Sequence, residues 1–100
     1  MSNRSICLVF DHRVPMAEVE ATLRLARLAA ECIHGAERVR LDARCVFDEL
    51  IRAVEIDVSR RVGRTLALVF GGFIRREFGQ DAVRLDRRAG NRQGLVEASA

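Results

Sequence analysis

The residues of this chain best suited to chemistry are its arginines. The chain has 100 residues, and all 17 of its basic residues are Arg, with no Lys, Trp or Tyr. A guanidinium is charged at every physiological pH and offers a rigid fork of donors that matches phosphate and carboxylate. The arginines are unevenly placed. Residues 1–50 carry seven Arg against eight acids, and residues 51–100 carry ten against six, so the net +3 conceals a basic second half. Arg60, Arg61, Arg64, Arg75 and Arg76 stand within seventeen positions that hold no acid. A patch of this kind attracts polyanions through sequence-independent phosphate contacts. The expected partner is therefore nucleic acid, DNA or RNA. Tyr and Trp platforms for single-strand stacking are missing, although Phe73 and Phe78 would serve if exposed. Contacts to backbone and shape fit better than base reading. The plain alternative is a solvated basic face, partly paired with Asp57 and Glu77.

Other chemistries have less to work with. His12 lies between Asp11 and Arg13 in a polar loop after an apolar strand pattern. Such strand-end loops bind ligands in parallel α/β sheets, so a small enzyme or ligand binder around His12 is a third reading. A pair of Asp and His without a neighbouring nucleophile is not a catalytic set. There is no GxSxG, and Ser59 reads as part of a helix. Gly71-Gly72 fits neither GxGxxG nor GxxxxGK[ST]. Cys7, Cys32 and Cys45 are odd in number and widely spaced, without CxxC, so they read as structural thiols. Neither a metal site nor a cofactor is expected, and no catalytic residue is assigned.

The elements that must position these groups follow from periodicity. Ser5 to Phe10 is an apolar run of strand length. A helix is expected from Pro15 to His34, with Met16, Val19, Leu23, Ala26, Ala30 and Ile33 as its stripe and Gly35 as its stop. Leu25, Leu28, Ala29 and Cys32 widen that stripe, enough to touch a second helix or a second subunit. His34 suits the negative end of the helix. Residues 38–43 alternate like a half-buried strand. A second helix is expected over Val46 to Val62, stopped by Gly63, with pairs Asp48–Arg52 and Asp57–Arg61 on its exposed side. TLALVF, residues 65–70, reads as a third strand. Gly71-Gly72 reads either as a hairpin turn or as a hinge into a short helix, and residues 82–85 as a last, edge strand. The fold class is then α/β: a small two-layer β-α-β-α-β(-α)-β domain with a three- or four-stranded sheet, largely parallel or mixed. Residues 1–86 form the single domain, and 87–100, poor in apolar residues, a disordered tail.

Two stretches resemble known families. Leu8-Val9-Phe10-Asp11-His12-Arg13-Val14-Pro15-Met16-Ala17-Glu18-Val19 is similar to the first strand, basic loop and helix start of the Alba family of chromatin and RNA-binding proteins. Arg38-Val39-Arg40-Leu41-Asp42-Ala43-Arg44, with Ile51-Arg52-Ala53-Val54-Glu55, is similar to that family's next strand and helix. The resemblance spans residues 6–62. It implies a β-α-β-α-β-β fold, a homodimer, and nucleic-acid binding through His12 and Arg13 in the basic loop and through Arg44. A second resemblance joins Val39-Arg40-Leu41-Asp42 with Gly63-Arg64-Thr65-Leu66-Ala67-Leu68-Val69 and is similar to STAS domains. It implies binding of a regulatory protein partner. Asp48-Glu49 stand where that family has its phosphorylatable residue, so no phospho-switch is implied.

Length and composition bound these readings. One hundred residues allow one core and no second catalytic lobe. No apolar run approaches the roughly 18 residues of a membrane span, and MSNRSICLVF is a poor signal peptide. A cytoplasmic, non-membrane protein is expected.

Overall fold

The computed structural model describes residues 4–86. Strand β1 (Ser5–Phe10) leads through a short loop into helix α1 (Met16–His34). A short helix α2 (Ala36–Asp42) precedes strands β2 (Cys45–Asp48) and β3 (Ala53–Asp57). Helix α3 (Arg61–Phe78), a 3₁₀ turn and strand β4 (Val83–Leu85) complete the fold. The sheet has the order β2-β3-β1-β4, and every neighbouring pair is antiparallel. With α2 as an appendage, this is the β-α-β-β-α-β connectivity called split β-α-β or ferredoxin-like. That connectivity hosts unrelated functions, so it assigns none.

The sheet has one core face. Ile6, Leu8 and Phe10 alternate inward from β1, and the register sets Ile6 opposite Ile56 and Leu8 opposite Val54. These side chains join Val19, Leu23, Ala26 and Ala30 of α1 and Leu66, Phe70 and Ile74 of α3 in one cluster. Phe10 and Phe70 meet edge to face with ring centroids 5.9 Å apart, a geometry worth about 0.5–1.5 kcal/mol beyond its area. The opposite face carries Cys7, Val9, Val46, Asp48, Ala53 and Glu55 on alternate positions and lies outside that cluster.

Helix α1 keeps the expected boundaries. Pro15 precedes it, and Gly35 ends it at φ +94°, donating its N–H to Glu31 O at 2.8 Å. The stripe buries Met16, Val19, Leu23, Ala26 and Ala30, but Leu25, Leu28, Cys32 and Ile33 remain exposed. Glu20–Arg24 forms its ion pair at 3.5 Å. Arg27 donates to Ala43 O and Cys45 Sγ.

Between residues 36 and 70 the structure corrects the sequence reading. Residues 38–43 are not a strand. Arg38–Asp42 and Arg40–Glu37 pair at helical spacing, and Val39 alone of α2 is buried. The expected helix over 46–62 is the β2–β3 hairpin followed by the approach to α3. Phe47 faces Val54 across that hairpin, while Leu50 and Ile51 sit exposed at its tip. The Asp48 carboxylate accepts the Leu50 N–H at 3.0 Å, turning the chain. Asp48–Arg52 and Asp57–Arg61 therefore make no helical pairs. TLALVF and Gly71-Gly72 lie inside α3, which contains neither a strand nor a turn. The sheet is consequently antiparallel, not parallel or mixed, because a hairpin replaces the second crossover. The Ala53-Val54-Glu55 part of the Alba-like stretch lies in β3, so the implied β-α-β-α-β-β order is not the one observed. The last strand stands at the sheet edge as expected. The tail assigned to 87–100 lies outside the described residues.

Candidate nucleic-acid interface

The end of β3 organises a basic cluster. Asp57 donates its N–H to Arg44 O at 2.9 Å, and Val58 donates to Arg4 O at 2.7 Å. The residues just before β2 and just before β1 are thereby fastened to either side of the β3 exit. Arg60 and Arg61 follow at the start of α3. Arg64 bends back, its Nη1 donating to Val58 O at 3.1 Å and Ser59 O at 3.4 Å. Gly63 makes this close approach possible, for a Cβ there would lie 1.8 Å from Asp57 O. Arg4, Arg44 and Arg64 thus lie beside the segment 57–61, which itself carries Arg60 and Arg61.

The acid at their centre is already engaged. The Asp57 carboxylate accepts Ser59 Oγ–H at 2.5 Å and Ser59 N–H at 2.8 Å. Those bonds hold its pKa below the ordinary carboxylate value, and the charges of Arg44 and Arg60 lower it further. Among the described residues, Arg4, Arg44, Arg60 and Arg61 make no ion pair. All four are exposed. The first turn of α3 has no acid and no side-chain cap, so the positive end of its dipole adds to the arginine charge instead of being offset. The arrangement concentrates positive charge at this end of the domain.

The sequence-predicted residues divide between two ends of the domain. Arg44, Arg60, Arg61 and Arg64 come together, and Arg4, which the sequence did not single out, joins them. Arg75 and Arg76 lie in the last turn of α3, and 18 helical residues span about 27 Å. His12 and Arg13 occupy the loop after β1, also remote from the cluster. Arg13 Nε is 2.5 Å from Asp11 Oδ2, and that bond lowers the Asp11 pKa. His12 is largely exposed beside the same carboxylate, 3.7 Å away. A concavity of about 240 Å³ nearby is lined by Val9, Phe10, Asp11, Asp81 and Arg84, without His12.

Three further expectations are revised. His34 is more than a charge at a helix end: its Nε2 lies 2.9 Å from Thr65 Oγ1 and ties α1 to α3. Ser59 is in the loop before α3, not inside a helix. Cys7 is buried, as a structural thiol would be, but Cys32 is exposed. Among the described residues no group of three or more His, Cys, Asp or Glu is placed to hold a metal, and no helix is long and apolar enough to cross a membrane.

Comparison of the chain with protein-family models, curated proteins and solved structures returns no match. The class defined by fold and site is a small α/β domain with a four-stranded antiparallel sheet and one arginine-rich end.

Proposed function

We propose that this chain is a non-catalytic nucleic-acid-binding domain that grips phosphates through Arg4, Arg44, Arg60 and Arg61, with Arg64 bracing the loop between them. The observation that carries the reading is that the backbones of Arg4 and Arg44 are bonded beside the β3 exit, next to Arg60 and Arg61, while the acid there, Asp57, is committed to Ser59 and feels the charges of Arg44 and Arg60. Guanidinium forks bind phosphate oxygens in bidentate fashion, and a helix N-terminus adds favourable potential for an anion. Arg75, Arg76, His12 and Arg13 play no primary part. The test is fluorescence anisotropy with labelled nucleic acid at about 50 mM salt. Arg60→Ala/Arg61→Ala should weaken binding at least tenfold, and Arg75→Ala/Arg76→Ala should leave it within about twofold. Equal losses from both double variants would overturn the assignment.

A second reading has its own observation. Leu25, Leu28, Ile33 and Leu68 are each more than half exposed on the outer sides of α1 and α3. Apolar side chains left open this way favour a protein partner or a homodimer, the role the STAS-like stretch implies. Analytical ultracentrifugation of the chain tests the dimer directly. A cytoplasmic location accords with either reading.

A further inference from the structure

We propose that the outer face of α1 is covered by α1 of a second copy of this chain, the two helices running antiparallel. The proposal rests on the homodimer reading above and is independent of phosphate binding.

Helix α1 carries two apolar rows with the same spacing. Val19, Leu23, Ala26 and Ala30 are buried against the sheet and α3. Two residues further on, about 200° round the helix, stand Ala21, Leu25, Leu28 and Cys32. All four are exposed, Leu25 and Leu28 by 57% each. A surface helix ordinarily turns a polar side to water, and one that is apolar on both sides is covered on both. The intervals of four, three and four are those of a two-helix seam.

That row fits its own reverse. Turned end to end, it sets Leu25 against the partner's Leu28 and Ala21 against the partner's Cys32, so large residues meet at the centre and small ones at the ends. The two-fold axis crosses the helix between residues 25 and 28, as an isologous contact requires.

Charge selects the direction. Arg24 and Glu31 each stand one residue before a member of the row, on the same flank. Reversal brings Arg24 beside the partner's Glu31, and symmetry forms that pair twice. A parallel seam would set Arg24 and Glu31 beside the partner's Ala29 and Ala36 and join no charges. Glu31 is open to such a partner. Arg27, one turn before it, donates to Ala43 O and Cys45 Sγ, and Glu31 makes no ion pair among the described residues. Arg24, 76% exposed at its side chain, holds Glu20 only at 3.5 Å.

The test reads oligomeric state and direction separately. Sedimentation of the full chain over about 1–100 μM should show a monomer–dimer equilibrium. Ala21→Cys, checked for folding by circular dichroism, is then oxidised and resolved on a non-reducing gel. In the antiparallel pair the new thiol faces the partner's Cys32, whereas the two Cys32 residues lie about 16 Å apart along the axis, beyond the roughly 7 Å that a disulfide spans between Cα atoms. The expected result is a covalent dimer from Ala21→Cys and none from the parent chain or from Ala21→Cys/Cys32→Ser. Arg24→Glu and Glu31→Arg should each weaken the dimer about threefold or more, and the double swap should restore it. A dimer that cross-links through Cys32 in the parent chain, or does not cross-link in Ala21→Cys, would overturn the antiparallel seam and leave the homodimer reading standing. A chain that is monomeric at every concentration would overturn both.

Discussion

Gly63 and Gly72 occupy the same helix, and replacing each by Ala should move stability in opposite directions. At Gly63 the added Cβ would meet the Asp57 carbonyl oxygen at 1.8 Å and its carbon at 3.0 Å, against an ordinary contact beginning near 3.4 Å. Both atoms are backbone, so the first turn of α3 would have to retreat from the β3 exit by about 1.6 Å, a shift too large for side-chain adjustment. Overpacking costs about 1–3 kcal/mol, and a clash with main chain belongs at the top of that range. Helix propensity returns about 1 kcal/mol on changing Gly to Ala, leaving a net loss of about 2 kcal/mol. At Gly72 nothing lies within 4 Å of the new methyl, so only the propensity gain of about 1 kcal/mol remains. For a domain of this size each kcal/mol moves Tm by about 4–8 °C. Thermal unfolding followed by circular dichroism should show Gly63→Ala about 8–16 °C below the parent chain and Gly72→Ala about 4–8 °C above it. Gly63→Ala at or above the parent Tm would refute the close approach of α3 to β3. A destabilised Gly72→Ala would restore the turn that the Gly-Gly pair suggests and break α3 in two.

Further predictions concern the two loops that frame the domain's ends. Arg52 adopts φ +56° at the β2–β3 turn, and its guanidinium donates to Asp11 O and Val14 O. Arg52→Ala should cost about 1–3 kcal/mol in urea unfolding through loss of these charge-assisted bonds, and an unchanged midpoint would contradict the clamp. Asp57 has its pKa lowered by Ser59, so the charged carboxylate favours the folded state. Its contribution is complete above the unfolded value of about 4 and is lost as pH falls through the lowered folded value. The stability gap between the parent chain and Asp57→Asn should therefore be full at neutral pH and shrink below about pH 4. A gap independent of pH would count against the Asp57–Ser59 pairing.

The parts of the fold legible in the sequence are those with local signals. Helix α1 has an apolar stripe at three-and-four spacing between Pro15 and a glycine with φ +94°, and β1 is a plain apolar run. The β2–β3 hairpin has neither Gly, Pro nor Asn at its turn. Asp48 supplies the turning hydrogen bonds and Arg52 takes the positive φ, a conformation that favours Gly. With no break visible, Phe47, Leu50, Ile51 and Val54 fall into a helical rhythm that the structure does not use. Helix α3 fails to announce itself for complementary reasons. It has no capping side chain, its first turn is basic, and glycines at 63, 71 and 72 resemble stops.

The site shared the same fate. Linear proximity grouped Arg75 and Arg76 with Arg60, Arg61 and Arg64, although the full length of α3 separates the two sets. Arg4 and Arg44 join the cluster only through antiparallel pairing of β3 with β1 and β2. Pairing of that kind is long-range, and no nearby residue signals it.

Exposed arginines at the β3 exit are proposed to bind nucleic-acid phosphates, and the salt dependence of duplex binding tests this most directly. Each phosphate neutralised on a duplex contributes about −0.9 to the slope of log affinity against log salt. Four contacts, from Arg4, Arg44, Arg60 and Arg61, predict a slope of about −3.6 and a loss of about 150-fold between 50 and 200 mM salt. Arg60→Ala/Arg61→Ala should reduce the slope to about −1.8. No binding at the lower salt, or a slope unchanged in the double variant, would contradict the account.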